Sequence, residues 1–441
     1  MKHRMMLSVL ALGLAAAAVA CATATPAPTQ PPAATVDPAA CHLTPPAEPV
    51  TVNVLGWSFD IMDFYADEFK KCGEIQNVDV SVKLLDNTGV YEAVRLALSS
   101  GGTSPYDIVH GANTSMIEWG SQGWLLPLND LVEKYRAQYN LDDISAKAWE
   151  GSTIDGKIYG VPVVGNTLHL AYRADLFEKY GVKVPTTYDE VIQACQVLKA
   201  EPGLQAPFAM DVSAGWAWEL EFFHFIRSYG SDFLNADNTP AFNSPEGVAA
   251  ATKMKEVVDA CMGEAHITLG YEANEVAMRT GTLAFTEIWS ANTNSMIDPA
   301  QSQFASVIKF APAPAPQPGG LLGGSAWNDY YSIPTTTAVD PDLLFRLIME
   351  VADVPSMQAA AKVGIVTRTS IKDGLPTLLA SSETMAKGVG IYPPNPAIPL
   401  ARAALGNWLP YIGTGEKTPQ EALDAAAEEY IKEAKAQGFL K

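Results

Sequence analysis

The chain has 441 residues, of which 48% are hydrophobic and 18% charged. That is a globular composition, and the length exceeds what one simple core accommodates, so two domains are expected. With 29 basic against 49 acidic residues the formal charge is −20; such a surface repels nucleic acid and anionic membrane, and neither is expected as a partner.

The N-terminus reads as a targeting segment. Lys2, His3 and Arg4 are a positive start, and Met5 to Ala20 is an apolar run of small residues, too short for a membrane-spanning helix. It ends Ala18-Val19-Ala20-Cys21, which resembles the bacterial lipobox with Ala18 in place of the usual leucine. Residues 1–20 are thus expected to be a lipoprotein signal peptide, with Cys21 as the lipid anchor of an exported protein; cleavage without acylation is the alternative. Residues 21–48 are rich in Ala, Pro and Thr, a composition that suits a tether and cannot form a core.

Beyond the tether, Val50 to Leu55 alternates like a strand and is followed by Gly56-Trp57-Ser58. Ile61 to Lys71 carries Ile61, Phe64, Tyr65 and Phe69 at helical spacing, Val78 to Leu84 alternates again, and Tyr91 to Ser100 predicts a second helix. Tyr106 to His110 is a third strand leading into Gly-Ala-Asn-Thr-Ser. Alternating strands and helices imply an open α/β sheet, whose ligands bind beyond the carboxyl ends of strands. That directs attention to Trp57 and to Asn113.

The stretch Thr153–Gly181 is the most informative. Asp155-Gly156-Lys157 is a tight turn, and an apolar run follows that Pro162 and Gly165 are expected to interrupt. A second strand, Leu168 to Tyr172, leads to a short helix stopped at Gly181. GKIYGVPVVGNTLHLAYRADLFEKYGVKVPTTYDEVIQACQVLK resembles the hinge segment of family 1 extracellular solute-binding proteins, the receptors of ATP-driven sugar importers; Arg173 and Tyr188 stand where that family often has Asn and Trp.

The resemblance continues in step. PYDIVHGANTSMIEWGSQGWLLPLND is similar to the family's first-lobe segment, and NEVAMRTGTLAFTEIWSAN to its helix, glycine and tryptophan-ended strand. GLLGGSAWNDYYSIP resembles the second crossover, Gly364 to Thr369 the third (without its usual proline), and GEKTPQEALDAAAEEYIKEAKAQG the closing helix, with Thr418 as cap and Pro419 at its first position. It covers residues 50 to 438, nearly all of the chain beyond the tether.

What the resemblance implies is an α/β, two-lobed periplasmic-binding-protein fold of type II, each lobe a central sheet flanked by helices, with three interlobe crossovers. Residues 49–163 and 328–366 would form the N-terminal lobe, and 164–327 and 367–441 the C-terminal lobe. Four cysteines of an exported chain remain, with three possible pairings. Cys41 precedes the first strand and Cys72 ends the first helix, while Cys195 and Cys261 lie in helices of the other lobe, so Cys41–Cys72 and Cys195–Cys261 are expected.

Catalytic signatures are missing: there is no Gly-x-Ser-x-Gly, no His-Glu-x-x-His and no Gly-x-x-x-x-Gly-Lys-Ser/Thr, and the six histidines are not at metal-ligand spacing. Neither a cofactor nor a metal is expected; Tyr330-Tyr331, a pairing that binds iron in some receptors, reads better as a strand with one ring facing the core and one not. A neutral polyol asks instead for planar polar groups and flat aromatic faces. Trp57, Asn113, Asn166, Trp216, Trp289 and Trp327 lie at loop or strand-end positions; by resemblance Trp289 is the foremost stacking candidate and Asn166 the polar contact of the first crossover. Asp60, Asn87, Glu219, Asp329 and Arg368 complete the candidate set as hydrogen-bonding partners. The expectation is a monomeric receptor that captures a small-molecule carbohydrate by hinge closure and delivers it to ABC transporter permease subunits. A secreted carbohydrate-active hydrolase and a receptor for a non-sugar solute are the alternatives.

Overall fold

The structure, a computed structural model, describes residues 41–393 and 395–441. Cys21, the expected signal peptide and most of the tether lie outside the described residues, as does the side chain of Asn87. Among the described residues no helix is long and apolar enough to cross a membrane.

Strands β1 (Val50–Trp57), β2 (Val78–Leu85) and β3 (Ile108–Ala112) pair in parallel in the order β2-β1-β3. Helices Asp60–Cys72 and Asn87–Ser99 make the crossovers that parallel pairing requires. A two-residue ladder, β4 (Thr153–Ile154) with β5 (Lys157–Ile158), closes over Asp155-Gly156, both at positive φ (49° and 76°) as a type I′ hairpin turn demands. The remaining strands are β6 (Val161–Arg173), β7 (Ala206–Ala209), β8 (Leu283–Trp289), β9 (Ile308–Ala311), β10 (Leu322–Ser332), β11 (Ile365–Val366) and β12 (Gly388–Gly390). The main path runs β2-β1-β3-β10-β6-β8-β7, with β9 and β11 on β6 and β12 on β10.

Two long strands organise this sheet. The first half of β6 pairs with β10 and β11, and its second half, from Leu168, pairs with β8 and β9. In β10, Asp329 to Ser332 lie against β3 while Leu322 and Ser325 lie against β12. Each strand therefore belongs to both ends of the molecule. Buried apolar residues separate accordingly. The first core draws on Leu43 to Val164 and Tyr330 to Leu378, on the two faces of the sheet, and the second on Leu168 to Ile308 and Val389 to Ala434.

The expected interruption of β6 is not there. Pro162 and Gly165 sit within one continuous strand, and the irregularity is a bulge: Asp329 faces Val164 and Tyr330 faces Pro162, so Val163 is the extra residue. Tyr65 OH donates to the Val163 carbonyl at 3.0 Å and Thr367 Oγ1 to that of Pro162 at 2.8 Å, which satisfies the groups the bulge displaces. Gly165 is a close approach, since a Cβ there would lie 2.2 Å from Met385 Cε.

Beyond β11, Ile371 and Leu378 still pack in the first core, and Arg368 is tied to the same side. Tyr330 and Tyr331 do point to opposite faces of β10, yet both are fully buried, because packed side chains cover each face there. Disulfides join Cys41 to Cys72 and Cys195 to Cys261. The closing helix Pro419–Ala436 starts at a Thr418–Glu421 capping box.

Candidate functional site

A cavity of about 410 Å³ opens where β6, β10 and β11 lie side by side between the two cores. Trp57, Asp60, Asn166, Trp327 and Asp329 line it, all five from the candidate set, together with Phe59, Ser290 and Asn294.

Each side is placed by a different local device. Trp57 ends β1, at the carboxyl end of a parallel strand, and its ring lies on the buried imidazole of His110 with centroids 3.6 Å apart. The Trp57 amide donates to His110 Nδ1 at 3.4 Å, which makes Nδ1 the acceptor and assigns the ring proton to Nε2. That Nε2 points at Asp329, 3.5 Å from Oδ1, without making a hydrogen bond. Asp60 opens helix Asp60–Cys72 directly after Phe59. Trp327 and Asn166 are register partners across β10 and β6. Asn166 Oδ1 accepts from Ser290 Oγ (2.8 Å) and from the Ala291 amide (3.2 Å), so its oxygen is engaged while its amide nitrogen is left for another acceptor.

Five expected contacts lie elsewhere. Trp289 does not line the cavity: its ring packs edge-on to Tyr271 (5.9 Å between centroids), which in turn neighbours the 54% exposed Trp216 at 6.1 Å. The residues after Trp289, Ser290 and Ala291, reach the cavity in its place. Asn113 is buried and structural; its amide donates to the Ala326 carbonyl, and its oxygen accepts from the Asn328 amide and from Tyr330 OH (2.9 Å). Glu219 is enclosed in the second core, accepting from Arg402 and Tyr392, and burial raises its pKa despite that arginine. Arg368 is held by the carbonyls of Ala352 (2.8 Å), Asn140 (3.0 Å) and Tyr139 (2.9 Å), with Asp143 at 3.6 Å. It faces a second cavity on the other side of the sheet, where Val366 points, whereas Ile365 faces the first.

Phe59, Ser290 and Asn294 were missed by sequence reasoning. Phe59 and Ser290 directly adjoin the candidates Asp60 and Trp289, and that adjacency was the available signal; Asn294 lies in a four-residue helix with no pattern of its own. Among the described residues the one cluster of possible metal ligands is Cys41, Cys72 and Glu350, and its two sulfurs are joined to each other.

Two cores joined by shared long strands, with a cavity at the crossing, are the architecture of the type II periplasmic binding fold. A solved solute-binding protein of an ABC transporter from Agrobacterium radiobacter, in complex with ribitol, superposes with a TM-score of 0.69 at 22% identity, over 88% of this chain and 99% of that one. The cyclic α-maltosyl-1,6-maltose binding protein of Arthrobacter globiformis gives 0.71 at 22% identity, over 87% and 98%. Residues 59–341 match the bacterial extracellular solute-binding protein family, and the chain belongs to that family. Among curated relatives, an ABC transporter extracellular-binding protein of Pyrococcus horikoshii is 28% identical over 42% of this chain and 43% of its own length. The mannitol-binding protein of Pseudomonas aeruginosa is 24% identical over 44% and 45%. The chain thus spans about half the length of the curated relatives it matches.

Proposed function

We propose that the protein is the substrate-binding component of an ABC importer, which captures a sugar or sugar alcohol in the cavity between two lobes and delivers it to membrane permease subunits. The observation that carries this reading is the cavity itself. Its size falls in the range of about 300–1,000 Å³ common for small-molecule sites, and it pairs aromatic faces (Trp57, Trp327) with planar polar groups (Asp60, Asn166, Asp329). Rings suit the C–H faces of a polyol, and the polar groups suit its hydroxyls. The mannitol- and ribitol-binding relatives support the same ligand class.

In this reading the lobes are residues 49–163 with 328–366, and 164–327 with 367–441. Among the described residues the chain passes between them along β6, along β10 and after β11, and the proposed hinge rotation turns about these passages. A ligand touching both sides stabilises the closed form by its differential contacts. The protein acts as a monomer, exported and held at the membrane by a lipid on Cys21, and it does not turn its ligand over. Mass spectrometry of the membrane-associated protein, with Cys21→Ala as control, tests the anchor.

A panel of monosaccharides, maltodextrins and sugar alcohols tests the ligand class. A binder raises the melting temperature by mass action and alters tryptophan emission; no shift from any member at millimolar concentration sinks the reading. A hydrolase is the second reading, favoured by two carboxylates, Asp60 and Asp329, in one cavity. Cleavage of a chromogenic glycoside would establish it, and intact glycoside in the presence of demonstrated binding dismisses it.

A further inference from the structure

The cavity carries an imbalance of charge. Two of its lining side chains are carboxylates, Asp60 and Asp329, and among the described residues no lysine, arginine or histidine lines it. Asp329 is only 5% exposed, and no described residue donates a hydrogen bond to its side chain. The nearest group of opposite polarity is His110 Nε2 at 3.5 Å, on a ring whose other nitrogen accepts from the Trp57 amide. Asp60 receives one long contact, from Asn294 Nδ2 at 3.5 Å. Asp329 faces the cavity beside a histidine that makes no hydrogen bond to it, so a ligand entering the cavity meets a carboxylate with acceptor oxygens free to receive donors.

A sugar hydroxyl can donate to Asp329 but brings no charge to offset the two carboxylates, of which Asp60 is exposed and Asp329 nearly buried. An ammonium group donates three hydrogens and supplies the missing charge, and the faces of Trp57, Phe59 and Trp327 on the same cavity favour a cation as well as a sugar ring. We propose that the ligand is a cationic polyol, an amino sugar or aminocyclitol, whose ammonium group is received by Asp329 with Asp60 adding to the field, while its ring packs on the tryptophans. This rests on the sugar-receptor reading above and names the member of that class which the cavity selects.

The test compares matched ligands on the full chain by calorimetric titration: glucose, glucosamine and N-acetylglucosamine, and sorbitol, 1-amino-1-deoxysorbitol and its N-acetyl derivative. The amine of at least one set should bind ten-fold or more tighter than both of its neutral partners, and salt should erode that preference. Asp329→Asn should reduce the preference of amine over neutral partner to about threefold or less, whatever it does to the affinity of the neutral members. Neutral members that bind as tightly as the amines overturn the proposal and leave the sugar reading standing. So does an amine preference that survives both Asp329→Asn and Asp60→Asn. Binding of putrescine or choline without any member of the sugar sets overturns both readings.

Discussion

Arg368 and Asp329 are both almost wholly buried beside the strands that carry the chain between its two cores, and the protein treats them in opposite ways. On the far face of the sheet the Arg368 guanidinium meets three backbone carbonyls and Asp143, so its donors are matched by groups from two separate segments, 139–143 and Ala352. On the cavity face Asp329 looks out beside Trp327 with only His110 Nε2 near it, at 3.5 Å and not hydrogen-bonded. The far face is saturated by the protein itself; the near face holds polar and aromatic groups in reserve. Arg368 is thus paired within the fold, while Asp329 keeps acceptor oxygens open toward the cavity, where a ligand can pair them.

The largest effect should come from breaking the saturated side. Arg368→Ala leaves Asp143 and three carbonyls without their partner and should destabilise the protein by about 3–5 kcal/mol in urea unfolding, with ligand affinity in the surviving folded fraction changed less than twofold. A loss below about 1 kcal/mol would erase the distinction drawn here. The reserved side predicts the converse. Trp327→Ala should weaken ligand binding by about 2–3 kcal/mol, roughly 30- to 150-fold, at a smaller cost in stability, as calorimetric titration with a ligand from the panel would show.

The same distinction explains what the sequence could and could not reveal. Runs with local periodicity were legible: β1, the first helix, and the turn at Asp155-Gly156 follow from neighbouring residues. Family-like motifs located β6 and β10, but not the register that sets Asn166 opposite Trp327. What was hidden depends on distant partners. Nothing near Arg368 shows that Tyr139, Asn140 and Ala352 will offer it carbonyls, and nothing near Asn113 shows that β10 will take up its amide. Both read as free polar groups at loop positions until the tertiary register supplies partners. The place of Trp289 outside this cavity was hidden for a related reason, because the Tyr271 ring it meets edge-on comes from another element.

Histidine 169 extends the comparison along one strand. It lies three positions beyond Asn166 on β6 and is saturated: Nδ1 donates to the Thr167 carbonyl at 3.1 Å, so Nε2 accepts from Thr377 Oγ1. Burial pushes its pKa down to about 4, below the 6.5 of an exposed histidine. The folded imidazole therefore stays neutral where the unfolded one takes up a proton, so stability is complete above pH 6.5 and falls as the pH drops toward 4. Buried His224, pushed down to about 3, has the same sign, whereas Glu221 and Glu287, raised by burial, favour the folded state as the pH falls. A difference measurement isolates the one group. Between pH 7 and pH 5 the parent should lose about 2 kcal/mol more stability than His169→Gln. Equal pH slopes in the two proteins would mean that the ring is not held neutral.

The smallest effect is the most discriminating, because Asn166 stands on both sides of the division. Its oxygen is saturated by Ser290 and Ala291, which fastens β6 to the loop after β8, while its amide nitrogen belongs to the cavity. Asn166→Ala removes both roles and should lower stability and binding by about 1 kcal/mol each. Asn166→Asp separates them. A carboxylate still accepts from Ser290 and Ala291, so the fastening survives, but the donor toward the cavity is gone and a third negative charge takes its place. For a neutral sugar or polyol, affinity should fall about five- to ten-fold with little change in melting temperature. For a cationic polyol the added charge opposes that loss, and affinity should hold or rise. The sign of the change in this one variant thus reports whether the nitrogen of Asn166 or the charge of the cavity matters more to the ligand.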